Sequence, residues 1–132
     1  MAQDLVPIDP GVLALLRGSF DRDGALRPFV REILLIECHI AGTSYRELGG
    51  VEPALTPGDL LPLRREPQNP HDERAIQILD EAGHLLGYVP RAKNEALANL
   101  MDAGKLLFGK LVSKRWVETW LKVEVRVLMR DV

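Results

Sequence analysis

The chain of 132 residues predicts a mainly β protein: a small, partly closed antiparallel barrel of about six strands, with one inserted helix and an N-terminal helical arm. Three observations predict it. Short runs alternate apolar and polar residues from residue 29 onward. Clusters of Gly, Pro, Asn and Asp separate those runs. One segment of the main body has helical spacing, and no strand–helix–strand period repeats, so hairpins dominate.

Residues 1–28 read as an appended arm and residues 29–132 as the barrel domain. In the arm, Asp9 suits the N-cap of a short helix with Pro10 in its first turn, and Val12, Leu13, Leu15 and Leu16 form one apolar face. The first strand is FVREILLIECHI, where Leu34, Ile36, Cys38 and Ile40 share a face by period two. TSYRELGGVEPALTPG reads as loop. DLLPLRRE is a second strand, placed near an edge by Pro62, which cannot donate to a ladder. RAIQIL is a third, and DEAG a tight turn in which Gly83 takes positive φ before HLLGYV returns antiparallel. PRAKNEALANLMDAG is the helix: Ala96, Leu97, Leu100 and Met101 form its apolar stripe, and Gly104 ends it. The tail supplies two more strands, with Leu121, Val123, Val125 and Val127 inward and Lys122, Glu124 and Arg126 toward water.

Composition narrows the function. Hydrophobic residues make up 46% and charged residues 27%, with a formal net charge of -2. A protein that coats nucleic acid along its length is normally basic, so any nucleic-acid role here rests on a local patch and few phosphates. Cys38 is the one cysteine, which excludes an internal disulfide and suits a reducing, cytoplasmic setting. The opening MAQDLVPIDP lacks the basic start and apolar run of a signal peptide, and no apolar run reaches the ~18 residues of a membrane span. The expectation is a cytoplasmic chain with no membrane contact.

Chemistry-bearing residues are few. His39, His71, His84 and Cys38 show no metal-ligand spacing, so neither metal nor cofactor is expected. Cys38 reads as a core thiol, and His39 and His84 as strand-surface residues. None of Ser19, Ser44 and Ser113 sits in a nucleophile elbow, and there is no phosphate-binding loop, so the chain is expected not to be an enzyme. The stretch REPQNPHDERAIQIL is the exception to this plainness. Its prolines forbid a helix and stiffen a corner that holds His71 and Asp72 at the mouth of a strand. Asn69 and Asp72 are also ordinary turn formers, so the residues alone allow a purely structural corner as well as a ligand site.

REPQNPHDERAIQIL, followed by HLLGYVPRAKNEALANLMDAG, resembles the HIRAN domain. That family's pattern is roughly R-E-P-x-N-P-x-D-x-x-A-I, a short turn, then G-x-[VL]-P-R ahead of a helix. The match runs through Arg65, Glu66, Pro67, Asn69, Pro70, Asp72, Ala75 and Ile76, then Gly87, Val89, Pro90 and Arg91. The resemblance spans about Phe29 to Arg130 and implies an OB-like barrel. The family is found fused to chromatin-remodelling helicases and, in bacteria, as small free-standing proteins. It implies recognition of the 3' end of single-stranded DNA, accessory to repair or replication, with a helicase or nuclease acting in trans. By motif position Asp72 holds the terminal hydroxyl. Tyr45 and His71 flank the end bases, with His71 where better-understood members carry tyrosine. Arg91 follows the G-x-x-P turn, and Tyr88 and Asn69 line the pocket. Lys93, Arg64 and Arg65 are the further phosphate ligands.

Elementary chemistry supports such a role. An ionised carboxylate only accepts hydrogen bonds, so it takes a hydroxyl and repels a terminal phosphate. Flat rings stack any base, for ~1–3 kcal/mol each, without reading sequence. Proline stiffness lowers the entropy lost on binding. A different class of function fits the same barrel: a protein-interaction module using the arm's apolar face or the edge strands.

Overall fold

The computed structural model describes residues 31–131, so the expectations for the arm over residues 1–28 fall outside the described residues. Residues Leu34–Met129 form one compact unit. The strands are β1 (Arg31–His39), β2 (Leu60–Arg65), β3 (Ile76–Leu79), β4 (Leu85–Tyr88), β5 (Leu106–Val117) and β6 (Trp120–Asp131). Among the described residues one α-helix, α1 (Glu95–Asp102), lies between β4 and β5. Short 3-10 turns occupy Thr43–Tyr45, Glu52–Ala54 and Arg91–Lys93. The strand order is β1-β6-β5-β2-β3-β4, and the antiparallel sheet curls into an OB-like half-barrel.

The curl brings the two ends of the sheet together. Ala41, just past β1, bridges Tyr88 at the end of β4: the Ala41 N–H donates to the Tyr88 carbonyl at 2.8 Å and the Tyr88 N–H to the Ala41 carbonyl at 2.9 Å. Gly87 makes this approach possible. A Cβ there would lie 2.3 Å from the Ala41 carbonyl oxygen and 2.5 Å from Ile40 Cγ2.

The core follows the period-two reading over most of its length. Leu121, Val123, Val125 and Val127 of β6 are fully buried, as are Ile76 and Ile78 of β3 and Leu61 of β2. Each such side chain contributes about 1.5–3 kcal/mol by leaving water. Gly83 takes φ 95 in the β3–β4 turn, the conformation its position requires.

Three expectations are corrected. β2 is not near an edge; it lies between β5 and β3. Leu60, Leu61 and Pro62 pair with β5, and Leu63, Arg64 and Arg65 pair with β3. Pro62 stands at the changeover between partners, where a missing N–H is tolerated in an interior strand. Leu34 is 52% exposed, because the alternation of β1 shifts by one between Leu35 and Ile36, both of which pack against the core, and Leu34 falls on the outer face. In α1 the buried pair is Leu97 and Ala98, and Ala96 faces water. The segment read as loop adds Leu48 and Leu55 to the core, and buried Thr43 ties it down by donating its hydroxyl to the Leu121 carbonyl at 2.7 Å.

Candidate nucleic-acid interface

The corner between β2 and β3 is built from short-range bonds. Asn69 Oδ1 accepts the N–H of His71 at 2.8 Å and of Asp72 at 3.1 Å, the side-chain turn its residue type favours. The Glu66 N–H donates to the Ala75 carbonyl at 2.9 Å and the Ala75 N–H to the Asp72 carbonyl at 3.1 Å, closing the base. Arg65 grips the same base from below. Its guanidinium donates to the carbonyls of Ala75 and Glu73, and to Asp102 at the end of α1 at 2.8 Å. Sequence position alone placed Arg65 among the phosphate ligands; the structure commits its donors to the corner's own backbone.

Glu66 joins the corner to the barrel's closing bridge. Its Oε1 accepts the Tyr88 hydroxyl at 2.7 Å and Asn69 Nδ2 at 3.1 Å. The Tyr88 and Asn69 bonds hold the Glu66 carboxyl below its ordinary range, and the same carboxylate pushes the Tyr88 hydroxyl up. The polar ends of Tyr88 and Asn69 are thus engaged by Glu66 within the frame of the corner.

Asp72 is the group this framework presents. Its Oδ1 accepts the Arg74 N–H at 2.9 Å, and its Oδ2 accepts Asn94 Nδ2 at 2.8 Å. Arg91 Nε stands 3.7 Å from Oδ2, with the Asp72 side chain 20% exposed. The Arg74 N–H does most to keep this carboxyl below its ordinary range; partial desolvation opposes it, and Asn94, Arg91 and Arg74 add to the lowering. Asp72 is therefore a fixed, ionised acceptor open to solvent. Arg91 also donates to the His71 carbonyl, so one guanidinium spans both corner residues. The His71 side chain and Arg91 are exposed.

Tyr45, Arg64 and Lys93 stand on other elements. Tyr45 is 89% exposed on the 3-10 turn that follows Ala41, the partner of Tyr88. Arg64 donates to Gln77 Oε1 at 2.6 Å and helps hold down the Glu66 carboxyl. Lys93 shares the Arg91–Lys93 turn but reaches the Glu37 carbonyl of β1 at 3.5 Å. Two contributors were missed in the sequence. Glu66 belongs to the motif, yet nothing local says which partners it gathers. Asn94 is buried at the N-cap position of α1, makes no side-chain cap bond, and spends its amide on Asp72 instead. A polar residue directly before the apolar stripe of a helix was the available signal.

Among the described residues no group of three His, Cys, Asp or Glu side chains is placed to hold a metal ion. Cys38 packs against the core as expected, and burial pushes its thiol up. His39 lies on the surface, edge-on to Trp120 with ring centroids 6.4 Å apart. His84 does more than decorate a strand: its N–H donates to Asp80 Oδ1 at 2.7 Å and its Nδ1 lies 2.8 Å from Oδ2. Among the described residues no helix is long and apolar enough to cross a membrane.

A curled antiparallel half-barrel with a pinned, ionised carboxylate at a proline-stiffened corner is a small module of the OB-like class. The chain belongs to the HIRAN domain family, whose profile matches residues 33–130. It is 30% identical over 100 residues, 76% of its own length, to the helicase-like transcription factor of Oryctolagus cuniculus, and spans about 8% of that protein. A solved protein from Lactobacillus plantarum shares its fold with a TM-score of 0.72 and 24% identity, over 79% of this chain and all of that one. The NMR structure of the HLTF HIRAN domain in its DNA-bound conformation aligns with a TM-score of 0.56 and 22% identity, over 76% of this chain and 79% of that one.

Proposed function

We propose that this HIRAN domain binds the 3'-hydroxyl end of single-stranded DNA and has no catalytic step of its own. The observation that carries this reading is the Asp72 carboxylate, held by the Arg74 N–H and Asn94 with Arg91 alongside. A carboxylate offers about four acceptor sites. The two N–H donors leave room for a hydroxyl, and a bond to the charged group is worth ~1.5–3 kcal/mol. A terminal phosphate meets like charge at the same point.

Around that hydroxyl, His71 and Tyr45 supply ring faces for the terminal bases, and Arg91 supplies the nearest cation for a phosphate. Arg64 and Lys93 are peripheral ligands. Asn69 and Tyr88 hold the frame through Glu66, and Arg65 holds its base. A net charge of -2 suits an end-binder that meets few phosphates. The DNA-bound conformation of the HLTF domain on the same fold adds support. As a small module of repair or replication, the domain would deliver a strand end to a helicase or nuclease acting in trans, in a cytoplasmic setting.

Titration with a short labelled oligonucleotide tests this directly. The free 3'-hydroxyl strand should bind most tightly, and a 3'-phosphate should weaken binding by about tenfold or more, the worth of one charge-assisted bond. Equal affinity for hydroxyl and phosphate ends would refute hydroxyl recognition. No binding at low salt would assign the domain to protein interaction, for which Leu60, Leu106 and Trp116 offer exposed apolar surface.

A further inference from the structure

We infer that the shallow groove beside β4, lined by Tyr45, Arg46, Glu47, Leu48, His84 and Leu85, is a second nucleic-acid subsite that takes the nucleotides just 5' of the bound end. The inference rests on the end-binding reading. The groove encloses about 440 Å³. Its floor is apolar, with Leu48 buried in the core, and its rim carries Arg46 and His84.

Position makes it continuous with the corner. β4 runs from Leu85, in the groove, to Tyr88, whose hydroxyl bonds Glu66 of the corner. Three residue steps at about 3.4 Å cover ~10 Å, the rise of about three stacked nucleotides. Arg46 connects the two ends: it follows Tyr45 on the turn beside Ala41, and its charge is felt at the Tyr88 hydroxyl, which it lowers against the Glu66 effect. Tyr45 faces the groove, so its ring can take the base that leaves the corner.

His84 is built rather than incidental. Buried Asp80 accepts its N–H at 2.7 Å and lies 2.8 Å from Nδ1, which fixes the ring with Nε2 away from Asp80. The His84 side chain is 59% exposed. With Nδ1–H donated to Asp80, Nε2 donates to a phosphate oxygen only in the imidazolium form. A phosphate in the groove therefore gains this bond only where the imidazole carries both protons. The charged and titratable groups around this ring are Asp80 from its own turn, and Arg46, Glu47 and Tyr45 from the loop. His71 at the corner is also an exposed imidazole, so only the pH dependence of the gain with strand length, and not that of dinucleotide affinity, reports on the groove.

The test compares thymidine di-, tetra- and octanucleotides with free 3'-hydroxyls, at pH 6 and pH 8 and fixed salt, by fluorescence anisotropy. Wild type should bind the tetranucleotide about tenfold more tightly than the dinucleotide, the low end for one stacked base with its phosphate, and the octanucleotide no more tightly. That gain should be larger at pH 6. Arg46→Glu should erase the gain, and His84→Ala should erase its pH dependence. Neither should change dinucleotide affinity or the preference for hydroxyl over phosphate ends. Arg46 is exposed, so its variant should keep the wild-type melting temperature. A length gain untouched by both variants would overturn the groove while leaving end binding standing. So would equal losses on short and long strands. Wild type that binds no strand would overturn both readings.

Discussion

Asn94 donates its side-chain amide to Asp72 Oδ2 at 2.8 Å from the N-cap position of α1. An N-cap asparagine normally bonds its own helix and is worth ~1 kcal/mol there. Here that bond is absent and the amide locks the carboxylate of the corner. Asn94→Ala should therefore free the Asp72 rotamer and raise its carboxyl toward the ordinary range. Hydroxyl-end binding should fall by ~1–2 kcal/mol, with a smaller loss for phosphate ends. Titrations with both ends check this; equal losses would mean that Asn94 only stabilises the fold.

Asp72→Asn removes the charge and keeps the shape. Binding of a 3'-hydroxyl strand should weaken by ~1.5–3 kcal/mol, and the penalty on a 3'-phosphate should shrink. The melting temperature should change little, because an asparagine oxygen still accepts the Arg74 N–H. A variant that melts early and binds normally would show that the residue is a turn former alone.

Tyr45 is almost wholly exposed, so Tyr45→Ala should leave stability unchanged. Affinity should drop by ~1–3 kcal/mol for all four terminal bases alike, since every base has a π-face. A loss confined to one base would mean edge recognition.

Salt separates phosphate readers from scaffolding. With ~2–3 phosphate contacts, log affinity should fall with log salt at a slope of roughly -1.4 to -2. Arg91→Ala should make that slope shallower by about 0.7. Arg65→Ala should leave the slope alone and lower the melting temperature, because its donors hold the carbonyls of Glu73 and Ala75 and the carboxylate of Asp102. A slope that shifts in Arg65→Ala would restore Arg65 to the phosphate ligands.

Gly87→Ala tests the closure of the barrel. The new Cβ would overlap the Ala41 carbonyl and Ile40 Cγ2, so denaturant unfolding should show a loss of about 1–3 kcal/mol or more. Binding should fall as well, because Tyr88 holds the corner through Glu66.

Acid should weaken the fold through the same carboxylates. In the folded state the Glu66 and Asp72 carboxyls sit below their ordinary values, and so does Asp80, where His84 bonding outweighs burial. Groups lowered on folding stabilise fully above their unfolded values, about 3.9 for Asp and 4.3 for Glu, and lose that contribution as pH falls through the folded values. Thermal melts should be flat down to about pH 5 and decline below about pH 4.5. A protein that grows more stable on acidification would contradict these assignments.

Much of this was legible in the chain itself. The alternation of Leu121, Val123, Val125 and Val127 set the inner face of β6, because successive side chains of a strand point to opposite sides. Gly83 marked a turn and the prolines around Asn69 marked a stiff corner, since backbone sterics act within a few residues. The motif's order along the chain located Asp72 and Arg91. The tertiary structure decided what depends on neighbours distant in sequence. Pro62 said that one side of its strand lacks a donor, but only the changeover from β5 to β3 put that strand in the sheet's interior. Leu48 and Leu55 entered the core because the fold lays their loop on it, and Leu34 stayed out because β1 shifts its alternation between Leu35 and Ile36. The fates of Arg65 and Asn94 were settled in the same way. A long polar side chain takes whichever partner the fold brings within 3 Å or so: the Ala75 carbonyl for Arg65, and a carboxylate across the corner for Asn94 in place of its own helix.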